Sequence, residues 1–364
     1  MKILVYFSGQ LFEPKGTPIR TRNQIRQLTE HGFDVYYAGK DSPEDLPSGA
    51  VYGLTNPILR FAQLTQIVRK EKIDCVYIQT SAGIWYAPWL RLTTRAKIGI
   101  DFHSRRFQED HITRGRHKMV TAFLEFVELQ LVRFLHFGTV VSPNLYTYYS
   151  PFVSSVLLLP VGVDTKAFSP SVIPDATIKD WKGGATLIGY AGNLKWYQGV
   201  ETLLEAFSVL PTKSTFKLLL IASSGAEELR AYLKEQKLEQ SVLLLERQPH
   251  TQIPSLLAAT DGLVVVRPSN LVTEYAFPSK LVEYAALGKA LILSEVGGVE
   301  KYFTHQINAL VIPPSDVSAL VRSLQSLKEA TLRERIGSKA RVLALEEFDL
   351  KKLGGKLSDF LVSL

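Results

Sequence analysis

Short apolar runs alternate with amphipathic stretches along almost the whole chain. In the first half the runs are residues 3–7, 34–37, 75–79, 97–101, 138–141 and 156–159, and helix-length segments occupy 17–31, 56–70 and 118–136. In the second half the runs are 186–190, 217–221, 242–245, 262–266, 290–293 and 309–312, separated by 200–210, 226–235, 250–259, 279–287 and the shorter 298–303. Strands of this length alternating with helices predict βα units and parallel sheets. Two such series predict an α/β protein with two doubly wound, Rossmann-like domains. The break between them is the turn-rich stretch from Val161 through Pro174. The expected division is therefore a domain over 1–160, a linker over 161–180, a second domain over 181–346 and a strandless helical end over 347–364.

Composition narrows the class without changing that picture. The chain has 364 residues, 46% of them hydrophobic and 21% charged, which excludes disorder, a collagen-like repeat and a disulfide-stapled miniprotein. Its one cysteine, Cys75, lies in an apolar run and reads as a buried small hydrophobe in a reducing compartment. The opening apolar stretch is too short for a signal peptide or a membrane span, so a cytoplasmic location is expected. Residues 1–180 hold 21 Lys/Arg against 16 Asp/Glu, five of the seven excess positive charges. An anionic ligand or an anionic membrane surface would suit such a half, as would an ordinary solvated face. Nucleic acid is not expected, because metal-ligand spacing and interleaved basic and aromatic runs are absent from the sequence.

Ligands of doubly wound sheets bind at the carboxyl ends of the strands. After the first strand, Gly16-Thr17-Pro18 stands ahead of a helix and offers backbone N–H groups to an anion. It is neither a Walker A loop nor G-x-G-x-x-G. The densest pattern runs from Glu274 to Ile292, entered from Val266-Arg267-Pro268. Pro278-Ser279 starts a helix whose free N–H groups could meet a diphosphate. Glu283, one turn in, could accept from a ribose diol, although Lys280 and Glu283 would equally make a solvated i,i+3 pair.

This stretch resembles the C-terminal domain of the retaining glycosyltransferase family 4 of the GT-B fold. The resemblance continues through Ser294-Glu295-Val296-Gly297-Gly298 and Asn308-Ala309-Leu310-Val311-Ile312-Pro313-Pro314-Ser315-Asp316, and through Leu159-Pro160-Val161-Gly162-Val163-Asp164. Pro14-Lys15-Gly16-Thr17, the Leu28 to Val35 segment and Val140-Val141-Ser142 match its N-terminal half. The order is right over nearly the whole chain. The resemblance implies two domains facing across a cleft, a last helix crossing back to the first domain, and hexosyl transfer from a nucleotide-sugar without a required metal or other cofactor. It places Gly16, Thr17, Gly192, Asn193, Lys195, Gln198, Arg267, Phe277, Pro278, Ser279, Lys280, Leu281 and Glu283 at the donor, with His103 and Glu274 at the reacting sugar.

Three positions depart from the family pattern. Glu283 matches the second glutamate of its E-x7-E pair, but Tyr275 occupies the first position, so a role for Glu274 requires a one-residue bulge. The diphosphate-gripping "G-R-L-x-x-x-K-G" is here Gly192-Asn193-Leu194-Lys195-Trp196-Tyr197-Gln198-Gly199, neutral at both basic positions, Asn193 and Gln198. A developing anion wants cations nearby, and Lys195, Arg267 or Lys280 could supply them. Ile221-Ala222-Ser223-Ser224-Gly225 replaces the usual G-x-G. For a double displacement Asp101 is the only carboxylate near His103, and the family gives it no such role. Retention would then follow front-face attack, the leaving phosphate taking the acceptor's proton.

Arg105, Arg106, Arg114, Arg116 and Lys118 read as a basic lip toward a glycan or lipid-linked acceptor, or toward an anionic membrane reached peripherally at its inner face. Behind it, 120–136 is expected as a core helix with Glu125, Glu128 and Arg133 on its wet edge. His111, His117, His136, His250 and His305 are given no functional role. Losing both basic diphosphate positions also fits a catalytically weak binding or partner subunit; a sugar-nucleotide epimerase is the other alternative on this scaffold, and polysaccharide assembly is the expected setting.

Overall fold

The computed structural model describes residues 1–13, 16–41, 51–54, 56, 59–210 and 215–364. Pro14 and Lys15 of the first loop fall outside them. The chain divides into two compact units, Met1–Val161 with Glu274–Phe277 and Leu350–Leu364, and Gly162–Thr273 with Pro278–Asp349.

The first unit is built on a seven-stranded parallel sheet. Its strands are β1 (Lys2–Phe7), β2 (Asp34–Gly39), β3 (Val51–Gly53), β4 (Cys75–Gln79), β5 (Lys97–Phe102), β6 (Phe137–Val140) and β7 (Val156–Leu158), in the order β3-β2-β1-β4-β5-β6-β7. Helices cover both faces, so the strands are apolar on both. Alternation along β1 sends Leu4 and Tyr6 into one core and Ile3, Val5 and Phe7 into the other. The second core is completed by Leu353, Leu357 and Leu361, one stripe of the Leu350–Ser363 helix, which packs on the Gly16–Glu30 helix. The strand the sequence pattern did not reveal is β3, three residues at the sheet edge. Cys75 is buried, and burial pushes its thiol up, out of reach of ionisation.

The second unit repeats the scheme with β8 (Thr186–Gly192), β9 (Phe216–Ala222), β10 (Val242–Leu245), β11 (Gly262–Val265), β12 (Ala290–Ser294) and β13 (Leu310–Ile312), ordered β10-β9-β8-β11-β12-β13. In both sheets the first strand is central and the order reverses beside it, the Rossmann arrangement. A helix, Ala176–Lys182, runs across the end of the expected linker, capped by Asp175 accepting from the Ile178 N–H at 3.0 Å. Seven residues gave too little periodicity to reveal it.

Two expectations for residues 105–136 are corrected. The basic lip, expected as a loop, is helical over Arg106–Arg114. In the following helix, Lys118–Val132, and its end, Arg133 is exposed as expected, but Glu128 is buried, Glu125 is half-buried and much of the apolar side faces outward. Thr121, Glu128 and Val132 are buried, whereas Met119, Phe123 and Phe126 are 76%, 65% and 60% exposed. The polar side can face inward because it is satisfied there: Arg105 and Gln108 hold Glu125, and the Tyr149 hydroxyl donates to Glu128 at 3.2 Å.

Burial raises the Glu128 carboxyl to about 7, only partly countered by the Tyr149 hydrogen bond. A carboxyl raised in the folded state binds its proton more tightly there than in the unfolded chain. Its stabilising effect is therefore complete below the unfolded pKa near 4.3 and is lost as pH rises toward 7. Glu128→Gln is expected to be more stable than wild type by on the order of 2–3 kcal/mol at pH 8, the gap closing by about pH 4. Urea midpoints of the two proteins across that range check it, and a pH-independent gap would refute it.

Candidate functional site

In the first unit the carboxyl ends of β1 and β4 and the start of the Gly16–Glu30 helix frame a depression of about 750 Å³. Gly9, Gln10, Gly16, Thr17, Lys40 and Thr80 contribute to its lining. Thr80 has φ of 97°, a strained conformation for a β-branched residue, held by its N–H donating to the Asp101 carbonyl at 3.2 Å. No sequence signal marked it.

His103 follows β5 and its ring is held at both nitrogens. Nε2 lies 2.7 Å from Asp101 Oδ2, and Nδ1 lies 3.0 Å from Thr17 Oγ1. An ionised carboxylate only accepts, so Nε2 carries the proton and, in the neutral ring, Nδ1 accepts from the Thr17 hydroxyl. Asp101 is fully buried. Burial would raise its carboxyl, but the Arg20 guanidinium and then His103 override that and hold it well below the usual carboxylate range. Arg20 donates to both of its oxygens at 2.7 and 3.1 Å, Thr139 to Oδ1 at 2.6 Å and Gln24 to Oδ2 at 3.2 Å. The remaining Arg20 bonds reach the Leu159 and Pro160 carbonyls. Asp101 is thus no nucleophile: its oxygens are enclosed and occupied, and what it does is orient His103.

Most of the expected basic lip is likewise engaged. Arg105 forks onto Glu125 and lies 4.4 and 4.9 Å above the Tyr148 and Tyr275 rings, while Arg114 and Arg116 both pair with Asp110. Arg106 stacks over Phe107, leaving Lys118 as the exposed ammonium of the group.

The Glu274–Phe277 segment belongs to this unit. Asn144 donates to the Glu274 carbonyl and Ser142 to that of Tyr275, each at 2.7 Å. No strand bulge occurs here. Glu274 and Tyr275 end a short helix, Leu271–Tyr275, so their side chains point about 100° apart. The Tyr275 ring meets Tyr148 edge-on and lies under Arg105, and Phe277 is buried.

In the second unit β8 ends at Gly192 and the loop to the Val200–Ser208 helix carries Asn193, Lys195 and Gln198. The half-buried Lys280, from the helix Ser279–Ala286 with Pro278 as its N-cap, donates to the Tyr190 hydroxyl at 2.7 Å and to Gln198 Oε1 at 2.9 Å. It also lies 4.1 Å over the Tyr190 ring. Position 192 has φ of 153°, which favours glycine, and a Cβ there would sit 2.6 Å from Lys280 Nζ and press that ammonium aside. Gly199, at φ of 74°, brings the loop against the Val266 carbonyl, 1.7 Å from where a Cβ would be. Lost hydration, reinforced by the charge of buried Arg267, pulls Lys280 well below the ordinary lysine range. Lys280 is therefore not the partner of Glu283 in a solvated pair.

The Asn193 carbonyl accepts from Tyr190 at 2.6 Å, its side chain accepts from the Lys195 N–H at 3.3 Å, and the Lys195 side chain is exposed. The Gly192 carbonyl accepts from Ser223 N–H at 2.9 Å, tying in the turn that replaces G-x-G. Ser279 is exposed at the helix start; the Leu281 side chain is core and its N–H bonds the Pro278 carbonyl. Glu283 accepts from His250 Nε2 at 3.0 Å, and this hydrogen bond raises the imidazole above its ordinary value. Thirty-three residues separate the two, so spacing gave His250 no role. Gly192, Asn193, Gln198 and Lys280 thus converge around Tyr190, while Lys195 and Glu283 look elsewhere. Among the described residues, no three His, Cys, Asp or Glu side chains are placed to hold a metal ion, and no helix is long and apolar enough to cross a membrane.

Residues 175–343 match the family described as glycosyl transferases group 1. N-acetyl-alpha-D-glucosaminyl L-malate synthase of Bacillus anthracis is 26% identical over 167 residues, 45% of this chain and 42% of the synthase, so the chain spans less than half of that relative's length. Among solved structures, Anabaena HepE in complex with UDP-glucose is similar over all of both chains at 18% identity and a TM-score of 0.78. Sucrose-phosphate synthase of Thermosynechococcus elongatus is similar over 100% of this chain and 98% of its own at 17% identity and a TM-score of 0.77. At these identities the likeness is one of fold.

Proposed function

We propose that this chain, whose residues 175–343 match the glycosyl transferases group 1 family, transfers a sugar from a nucleotide-sugar donor to a glycan, lipid-linked or small-molecule acceptor with retention of configuration. The observation that carries this reading is Lys280 poised at Gly192 and bonded, among the described residues, to the neutral acceptors Tyr190 and Gln198. An ammonium so placed can exchange those partners for diphosphate oxygens without breaking an ion pair, in a site where charge acts at low dielectric. Arg267 and the N-terminus of the Ser279–Ala286 helix add to the positive field, and the proposal requires no metal. Gln198 then serves as the resting acceptor for Lys280 rather than as a second cation.

In the transfer the bond from the anomeric carbon to the phosphate oxygen breaks as the acceptor oxygen bonds to that carbon on the same face. The acceptor's proton passes to the departing phosphate. His103 is assigned a hydrogen bond to a sugar: a hydroxyl entering the depression beside Thr17 competes with Thr17 for Nδ1, while Asp101 keeps the ring in place. A UDP-linked hexose is the first donor class to try, since HepE was solved with UDP-glucose.

Thermal shifts of the wild-type protein with UDP-, GDP-, ADP- and TDP-sugars test the reading. A donor at 100 times its dissociation constant adds about 2.7 kcal/mol, a shift of several degrees. One nucleotide class is expected to shift the melt. No shift with any class would sink the donor site and favour a partner subunit.

A further inference from the structure

The Lys118–Val132 helix presents its apolar side outward. Met119, Phe123 and Phe126, at i, i+4 and i+7, form one exposed stripe with Val120 beside it, opposite the buried Thr121 and Glu128. The Tyr86–Thr93 helix, which touches it, adds exposed apolar side chains of its own: Trp85 at its N-cap, Trp89, whose ring edge meets Phe61 and whose N–H donates to Thr65 at 2.9 Å, and Leu92, which are 42%, 44% and 81% exposed. A patch of this kind marks a surface that is covered in use. Its charges say by what. Arg91, Arg95, Lys118 and Arg133 are exposed around the two helices, whereas the nearby carboxylates are engaged or buried: Asp110 grips Arg114 and Arg116, Glu109 accepts from Ser104 at 2.7 Å, Glu125 grips Arg105, and Glu128 is buried.

We propose that this two-helix face docks the protein on an anionic lipid surface. Tryptophan and phenylalanine flanked by Lys and Arg are the residues that lodge at the boundary of headgroups and acyl chains, and the basic rim draws in anionic headgroups. A second copy fits less well, because pairing this face with itself would bring the unopposed basic groups together. The inference concerns the first unit alone and does not depend on which sugar is transferred.

Co-sedimentation with phosphatidylcholine vesicles, with and without phosphatidylglycerol, tests it alongside light scattering of the free protein. Wild type is expected to sediment with the phosphatidylglycerol vesicles and to be released by salt. The bound fraction is expected to fall roughly tenfold or more in Phe123→Ser/Phe126→Ser and severalfold in Lys118→Gln/Arg133→Gln. Both pairs are exposed, and circular dichroism melts matching wild type confirm intact folding. Failure of wild type to bind, equal binding to pure phosphatidylcholine, or unchanged binding of the phenylalanine variant would each overturn the proposal. So would a wild-type dimer that the phenylalanine variant dissociates without any vesicle binding.

Discussion

Asp101→Ala is expected to cost about 3–5 kcal/mol of stability, because it leaves the buried Arg20 guanidinium without its counter-charge. The lost bonds are several at once: two from Arg20 and one each from Thr139, Gln24 and His103. Asp101→Asn, which keeps the shape and some of the bonds, should lose less stability but still release the His103 ring from its fixed tautomer. The Asp101 carboxyl is held low in the folded state, so its contribution is present above the unfolded pKa near 3.9 and is lost as pH falls below it. The gap between wild type and Asp101→Ala in urea midpoints should therefore be widest near neutrality and shrink in acid. A loss below about 1 kcal/mol at neutral pH would mean that Arg20 finds other partners and that the network is not the anchor described here.

The second large effect is expected at Lys280. Lys280→Met should reduce kcat for sugar transfer by about 10²–10³-fold, the range seen when a group aimed at developing charge is removed from a water-poor site. The fold should survive, since Met fills much of the same volume and leaves Tyr190 and Gln198 without a buried charge between them. Turnover and donor affinity measured separately distinguish the roles. A fall confined to kcat places Lys280 on the leaving group in the transition state, and a rise confined to KM would place it on ground-state binding alone. An unchanged kcat/KM would remove Lys280 from the reaction, and with it the observation on which the proposed function stands.

The alternation of apolar runs and amphipathic segments was enough to place β1, β2 and β4 through β13, because a strand covered on both faces reads as a short continuous apolar run whatever surrounds it. Local chemistry marked Pro278 as a helix start, whereas Gly192 was singled out only by resemblance to the family pattern; the structure puts Pro278 at the N-cap and Gly192 against Lys280. Other features were invisible for a common reason: each depends on which partner arrives from far along the chain. Glu125 and Glu128 look like a wet edge until Arg105 and Tyr149 are folded against them, and then Phe123 and Phe126 become the outer face. Asp101 looks available beside His103 until Arg20, 81 residues away, closes over it. Lys280 looks paired with Glu283 until Tyr190 and Gln198 take the ammonium and His250 takes the carboxylate. Backbone periodicity is a property of neighbouring residues and survives reading in one dimension, whereas the satisfaction of a buried charge is a property of three-dimensional company and does not.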